Sequence, residues 1–209
     1  MNKIILTIGR QFGSGGRIIG KKLAEALGIS FYDKELIALA AKESGLCTEV
    51  FEKADERASA ALSHAFSIGM SYMGVYTPYA DILSGEGLFK IQSDVIRKLA
   101  ATESCVIVGR CADYILRDKP GCLSFFIHDT MPNRIRRITE RQQLTEEQAK
   151  ELIVKTDKSR AAYYDYYTGK PWGVSSSYRL SIDASVLGID ETACFMKDFI
   201  ERKQAIHTP

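Results

Sequence analysis

The feature that most constrains this chain is a glycine-rich turn between a short apolar run and a helical pattern near the N-terminus. Residues 4–8 are apolar and mostly β-branched, which is typical of a parallel strand buried on both faces. Four glycines follow within residues 9–16, and a helical spacing of apolar residues then leads to Gly28, which has the position of a helix C-cap. Glycines let several N–H groups point into one concavity, and a helix N-terminus adds partial positive charge. Residues 9–17, called the glycine loop below, therefore predict a phosphate-binding turn.

The glycine loop departs from the standard P-loop motif. Read from Gly9 or Gly13, the pattern G-x-x-x-x-G-K-[ST] finds no lysine followed by serine or threonine after the last glycine. Gly15 is followed instead by Gly16 and Arg17. Because a guanidinium is a permanent cation with a planar donor fork, we expect Arg17 to take over part of the lysine's role. The alternative is a strand–helix turn that binds no ligand.

Four further strands are predicted to alternate with helices, over residues 29–33, 105–108, 123–127 and 178–183. The helical patterns cover residues 34–44, 49–64, 87–100 and 112–116, the two segments beginning near Pro132 and Thr145, and a last segment from 190 or 191 to 203. This alternation predicts βαβ crossovers and a five-stranded parallel sheet with helices on both faces. Ligands bind at the carboxyl ends of the strands in such sheets. We therefore expect the glycine loop, Asp33, Arg110 and the His128–Asp129 pair at one edge.

Two consecutive helices near that edge carry positive charge. Arg134, Arg137 and Arg141 are spaced three and four residues apart, so they share one helical face. A capping box at residues 145–148 starts the next helix, which carries Asp157 and Arg160. The two helices predict a lid that closes over phosphates, since phosphoryl transfer is catalysed mainly by positioning and charge. A solvated helix surface is the alternative for the three arginines.

Composition narrows the classes of partner. A net charge of +2 gives no reason to propose a nucleic acid polymer or a membrane as partner, and no apolar run reaches the length of a membrane span. The first strand is preceded by no basic leader. Five scattered cysteines without a C-x-x-C pair predict reduced thiols and a cytoplasmic protein. No cluster of side chains has metal-ligand spacing, so Mg²⁺ is expected to arrive with a nucleotide.

Residues 66–79 are dense in methionine, glycine and tyrosine and fit neither a helical nor a strand period. This stretch is predicted to cap a binding site or to form a subunit contact, as in a homodimer. The alternative is a small packed satellite of the core.

Several segments of the chain, taken together, resemble a known family. These are residues 13–20, 31–33, 106–116, 157–160, the tyrosines 163–164, and 178–180. They look like the cytidylate kinase-like family, a branch of the P-loop nucleoside monophosphate kinases, and the resemblance covers nearly the whole chain. It implies a three-layer α/β fold of the P-loop NTPase type and a single kinase-like domain over residues 1–209. The core would be about residues 1–46, 87–130 and 178–209, with a helical monophosphate-binding insertion at 47–86 and a lid at 131–177.

The resemblance also implies an activity and a set of site residues. The activity is ATP-dependent phosphorylation of a nucleoside monophosphate, with cytidylate the first candidate and Mg²⁺ required. The ATP phosphates would be held by Gly13, Ser14, Gly15, Gly16 and Arg17. The acceptor would be bound by Asp33, Arg110 and Asp157, and the transferring group would meet the catalytic arginines Arg17, Arg137, Arg141 and Arg160.

Two positions differ from the family pattern. Gly16 stands in place of the P-loop lysine, and no serine or threonine follows it to reach Mg²⁺. Where true cytidylate kinases read Gly-Arg-Asp, this chain reads Gly109-Arg110-Cys111. Two other readings therefore stay open: a nucleotide-binding or regulatory protein without turnover, and a P-loop kinase of another small acceptor.

Overall fold

Five short strands form one parallel sheet. The computed structural model of the chain describes residues 3–33, 39, 42 and 85–206. The strands are β1 (Ile5–Arg10), β2 (Ser30–Tyr32), β3 (Cys105–Val108), β4 (Cys122–His128) and β5 (Leu180–Asp183). Their order in the sheet is β2-β3-β1-β4-β5, and every neighbouring pair is parallel. The predicted five-stranded parallel sheet is confirmed.

Six α-helices connect or follow these strands within the described residues. They are α1 (Gly16–Leu27), α2 (Gly85–Thr102), α3 (Ala112–Ile115), α4 (Met131–Gln142), α5 (Glu146–Thr168) and α6 (Ala184–Ile206), and a short 3₁₀ helix spans Ser175–Ser177. The helices predicted over 34–44 and 49–64 and the Met- and Tyr-rich stretch 66–79 lie outside the described residues, apart from the isolated positions 39 and 42.

Local signals in the sequence account for most of the helix ends. Gly28 adopts φ 63° and caps α1, as predicted. The capping box of α5 is present, with the Thr145 and Gln148 side chains each accepting a hydrogen bond from the other residue's backbone N–H. The last helix differs from the prediction, because it begins directly after β5 at Ala184. A kink at Gly188, with φ 75°, separates its first turn from the remainder.

Alternate residues of the central strands enter two separate cores, as the two-residue period of a strand requires. Leu6, Ile8, Val106 and Val108 pack with α1 and α6 on one face of the sheet. Ile5, Cys105 and Ile107 pack with α2 and α3 on the other face. Two helical layers therefore enclose the sheet, and the fold is a three-layer α/β fold.

Helices α4 and α5 pack on each other through a small third core. Its buried members are Ile138, Ala149 and Ile153, and Phe12 of the glycine loop packs against them. This core fixes the helix pair beside the loop at the carboxyl end of β1. Among the described residues, no helix is both long enough and apolar enough to span a bilayer.

The four described cysteines carry free thiols. Burial raises the pKa of Cys105 to about 12 and that of Cys122 to about 11, and it also raises the pKa of Cys111. Cys194 on α6 is exposed. The three sheet-side thiols are therefore poor nucleophiles at neutral pH, because the thiolate is the reactive form.

Candidate functional site

The glycine loop turns from the end of β1 into the first turn of α1. Gly13 and Gly15 adopt φ of 80° and 83°, a region that side chains disfavour. A Cβ at Gly13 would lie 3.0 Å from the carbonyl oxygen of Arg134, and one at Gly15 would lie 3.0 Å from Cγ1 of Ile189. No side chain caps the N-terminus of α1. Its first turn also carries no acidic side chain, so the partial positive charge of the helix N-terminus is not offset by a carboxylate.

Ser14 closes the loop on itself. Its hydroxyl donates to the carbonyl oxygen of Gln11 at 2.9 Å and accepts from the N–H of Gly16 at 3.3 Å, and the residue is fully buried. The side chain therefore stabilises the turn, and phosphate binding at position 14 would use the backbone. That binding stays a prediction.

Three arginines of α4 and α5 hold the carbonyl oxygens of the loop. Arg134 Nε donates to Phe12 O at 2.7 Å, Arg137 Nη1 to Gly13 O at 3.0 Å, and Arg160 Nη1 to Arg10 O at 3.0 Å. Carbonyl oxygens that are fixed on the outer side cannot swing into the concavity, where they would repel a phosphate. These contacts pre-organise the loop for an anion.

A buried ion pair anchors the same loop through its N–H group. Asp157 accepts a hydrogen bond from the N–H of Phe12 at 2.7 Å, and its other oxygen pairs with Arg134. The Arg134 side chain is only 4% exposed. Asp157 thus orients an arginine and the loop, and acceptor binding by Asp157 stays a prediction.

The ring of Phe12 contacts two of the predicted catalytic arginines. The guanidinium carbon of Arg141 is 5.2 Å from the ring centroid and that of Arg160 is 5.4 Å from it, both within cation–π range. The predicted face of Arg134, Arg137 and Arg141 therefore turns toward the glycine loop. The expectation that these arginines form a mobile lid is not tested by this geometry.

Arg17 points away from the loop toward β2. Its Nε donates to Asp33 Oδ2 at 2.6 Å, its guanidinium lies 5.8 Å from the ring centroid of Phe31, and its side chain is 51% exposed. Asp33 follows β2 directly, so it is positioned at the carboxyl edge of the sheet as predicted. Phosphate binding and catalysis by Arg17 stay predictions, and the structure gives Arg17 a carboxylate partner instead.

Sequence reasoning missed Arg10, whose charge interacts with those of three other arginines at this edge. The Arg10 guanidinium is 3.8 Å from Asp33, and burial together with the charges of Arg110 and Arg17 lowers its pKa. Burial and the neighbouring Arg10 also lower the pKa of Arg160 to about 9, so Arg160 remains charged at neutral pH. The sequence did contain a signal for Arg10, because a charged residue there ends the otherwise mostly apolar strand β1. We call Arg10, Arg17, Arg110 and Arg160 the cation cluster.

The backbone that carries Arg110 is strained. Gly109, Arg110 and Cys111 have consecutive φ values of 83°, 57° and 53°. Left-handed conformations are costly for residues with a side chain, and they are found mainly where function requires them. The end of β3 positions Arg110, and its charge is close enough to Arg10 to lower the pKa of Arg10. The site thus concentrates positive charge beside the glycine loop, which suits an anionic ligand.

The carboxylates at this edge do not fit a resident metal ion. Asp129, which follows β4, pairs with Arg137 and accepts from the N–H of Thr130 at 2.6 Å and from Asn133 Nδ2 at 3.0 Å. Asp33 is paired with Arg17. In the part of the chain that the structure describes, no three His, Cys, Asp or Glu side chains are grouped as metal ligands.

Known proteins match this chain over most of its length. The model of the cytidylate kinase-like family matches residues 5–186. The crystal structure of an uncharacterized protein from Eubacterium ventriosum ATCC 27560 is 31% identical, with a TM-score of 0.70 over 95% of this chain and 99% of that chain. A comparison with curated proteins finds no match.

Two solved kinases share the fold at low identity. Shikimate kinase from Bacteroides thetaiotaomicron is 12% identical, with a TM-score of 0.54 over 95% of this chain and 98% of that chain. A gluconokinase from Sinorhizobium meliloti 1021 is 16% identical, with a TM-score of 0.50 over 95% and 92%. The fold is therefore that of the P-loop kinases. The match over residues 5–186 shows that the chain belongs to the cytidylate kinase-like family.

Proposed function

We propose that this protein transfers the γ-phosphoryl group of ATP to a nucleoside monophosphate, with cytidylate the first candidate. The observation that carries the proposal is the cation cluster beside a pre-organised glycine loop. Arg10 and Arg17 pair with Asp33, and Arg110 and Arg160 lie within electrostatic range of Arg10. Burial and mutual repulsion lower the pKa values of Arg10 and Arg160. Two phosphate groups that meet at this edge would neutralise that charge.

The donor nucleotide would occupy the glycine loop. The N–H groups of residues 13–16 and the N-terminus of α1 would bind the ATP phosphates. Those of Ser14 and Gly16 would exchange their long hydrogen bonds to Gln11 O and the Ser14 hydroxyl for phosphate oxygens. Because Asp33 and Asp129 are both paired with arginines, Mg²⁺ would be held chiefly by phosphate oxygens and water. The bound nucleotide thus brings its own metal ion.

The acceptor would lie across the sheet edge at Arg110. Its phosphate oxygen would attack the γ-phosphorus of ATP, the bond from that phosphorus to the bridging oxygen would break, and ADP would leave. Arg110 is fixed by the end of β3, so it would bind the acceptor phosphate in the ground state and the transition state alike. Arg160 would use its remaining N–H groups on the transferring group.

Two of the predicted catalytic arginines receive a different role in this proposal. Arg137 is bound to both Asp129 and the carbonyl oxygen of Gly13, and Arg141 lies on the ring of Phe12. We assign Arg137 and Arg141 to positioning of the loop. The homodimer and the cytoplasmic location stay predictions.

The choice of acceptor base is the open part of the proposal. Cys111 takes the position of the aspartate in the Gly-Arg-Asp sequence of true cytidylate kinases. It is 5% exposed and its pKa is raised by burial, so it cannot replace a carboxylate. Residues other than the one at position 111 must therefore recognise the acceptor base. For this reason the test includes acceptors other than CMP.

A second candidate is a nucleotide-binding protein that has the fold without turnover. One observation favours it: Gly16 stands where a P-loop kinase has its lysine, and Arg17, next to it, pairs with Asp33. The two candidates share the donor site and differ only in chemistry.

A coupled ADP-release assay separates the candidates. The panel comprises CMP, dCMP, UMP, AMP and GMP, together with shikimate and gluconate as non-nucleotide acceptors. Turnover with a monophosphate is expected, and the Gly15→Ala variant serves as the control for contaminating kinases. ATP binding without turnover on any acceptor would support the second candidate, and turnover confined to a non-nucleotide acceptor would overturn the proposed substrate class.

A further inference from the structure

The side chain of Arg10 and the glycine at position 16 face each other across the mouth of the loop. A Cβ added at Gly16 would lie 2.7 Å from Cβ of Arg10, 3.3 Å from its Cγ and 3.2 Å from Cβ of Ile127. Real Cβ atoms do not approach that closely. Position 16 can therefore carry a side chain only if position 10 gives up its own, and the reverse also holds.

The far end of the Arg10 side chain is accommodated by a second glycine. A Cβ at Gly109 would overlap Nη1 of Arg10 and would lie 2.9 Å from its Cζ. The Arg10 side chain thus runs from the start of α1 to the end of β3, with a glycine under each end. The side chain as a whole is 21% exposed.

Positions 10 and 16 correspond to two defined positions of the P-loop motif. If Gly15 is the last glycine of G-x-x-x-x-G-K-[ST], then Gly16 stands in the place of the lysine and Arg10 in the place of the first glycine. Glycine and cation have exchanged positions. Because the Cβ positions of the two residues lie only 2.7 Å apart, a cationic side chain can start there from the strand or from the helix, but not from both.

We propose that Arg10 supplies the cation that contacts the β- and γ-phosphates of the bound nucleoside triphosphate, in place of the P-loop lysine. The inference rests on the proposed function and extends it. The Arg10 guanidinium lies beside Asp33 and Gly109, between the donor loop and the acceptor edge. It is close enough to Arg110 and Arg160 for the charges to affect one another's pKa values. A planar guanidinium there can bind two phosphate oxygens at once.

The first test compares nucleotides that differ in phosphate number. ATP and AMP affinities are measured by calorimetry for the parent, Arg10→Ala and Arg10→Lys, with Arg97→Ala as an exposed arginine control on α2. Arg10→Ala should weaken ATP by about tenfold or more and AMP by less than about twofold, and Arg10→Lys should recover part of the loss. Thermal unfolding of each variant shows that the fold is retained.

The second test restores the standard motif. Gly16→Lys alone should impair ATP binding, because its Cβ overlaps that of Arg10. The double variant Arg10→Gly/Gly16→Lys should bind ATP at least about tenfold more tightly than Arg10→Gly. The reason is that the new lysine supplies a cation from helix α1 in place of the one removed from strand β1. A double variant no better than Arg10→Gly would overturn the exchange of roles.

Other outcomes also decide the matter. An Arg10→Ala variant that binds ATP like the parent, or that changes only the acceptor KM, would overturn the proposal while leaving the kinase function standing. If the parent binds ATP but phosphorylates no acceptor, the proposed function fails and the ATP and AMP affinities still decide the role of Arg10. A parent that binds no nucleoside triphosphate would overturn both.

Discussion

Replacing Asp157 by alanine should break the anchor of the glycine loop. The carboxylate pairs with Arg134 and accepts a hydrogen bond from the N–H of Phe12 at 2.7 Å. The variant leaves a guanidinium that is 4% exposed without its counter-ion. Removal of one partner of a buried ion pair costs about 3–5 kcal/mol of unfolding free energy. Asp157 is itself 17% exposed, so the lower end, about 3 kcal/mol, applies.

The expected loss is readily measured. For a chain of this length, about 3 kcal/mol corresponds to a fall in Tm of about 6–12 °C. Asp94→Ala is the matched control, because it breaks an Asp–Arg pair in which both side chains are more than half exposed. Such a pair contributes at most about 1 kcal/mol. Equal Tm values for Asp157→Ala and Asp94→Ala would refute the anchoring role.

A double variant separates stability from loop order. Arg134→Met/Asp157→Leu replaces the pair by apolar side chains of similar volume, which commonly restores stability. The N–H and carbonyl oxygen of Phe12 would still lack their partners, so ATP affinity should stay below that of the parent. Recovery of both Tm and ATP affinity would show that the pair only fills space.

Three further expectations concern the loop, the arginines and the thiols. Gly13→Ala should abolish ATP binding, because its Cβ would crowd a backbone carbonyl oxygen, whereas Gly121→Ala, at φ 81° with nothing within 4 Å, should retain ATP binding in calorimetry. In steady-state kinetics, Arg110→Ala should raise the acceptor KM and Arg160→Ala should lower kcat; the reverse split would contradict the assignment. In a variant that lacks Cys47, a thiol reagent at pH 8 should label exposed Cys194 about a hundredfold faster than the buried thiols of Cys105 and Cys111, whose pKa values burial raises. Fast labelling of Cys105 or Cys111 would contradict the described burial.

Most of the fold could be predicted because its signals are local. A parallel strand buried on both faces is an uninterrupted apolar run, and the runs around Leu6, Val106 and Phe125 became the strands of the sheet. The helix end at Gly28 and the helix start at the capping box of residues 145–148 were also predicted correctly. The start of α6 was missed, since residues 184–187 form only one turn before the kink at Gly188. A single turn carries too few residues to show a helical period.

The sequence predicted which residues lie at the site better than it predicted where their side chains point. The glycine loop, Asp33 and Arg110 all lie at the predicted edge because strand ends fix them. The partners of Asp157 lie 23 and 145 residues away in sequence, and such distant pairings leave no spacing to detect. Arg17 lies in the first turn of α1, from which its side chain can reach either the loop or the end of β2. It turns toward β2 because it donates a hydrogen bond to the carboxylate of Asp33.

The central position of β1 has a consequence for synthesis of the chain. Ile5 pairs with Cys105 on one side and with Cys122 on the other, so the neighbours of the strand are translated about 100 and about 117 residues later. At about 5–20 residues per second, β1 waits roughly 5–20 s on the ribosome with both edges unpaired. An apolar segment in that state is prone to aggregate or to recruit a chaperone. The strand that positions the glycine loop is therefore also a segment of the nascent chain that needs protection during synthesis.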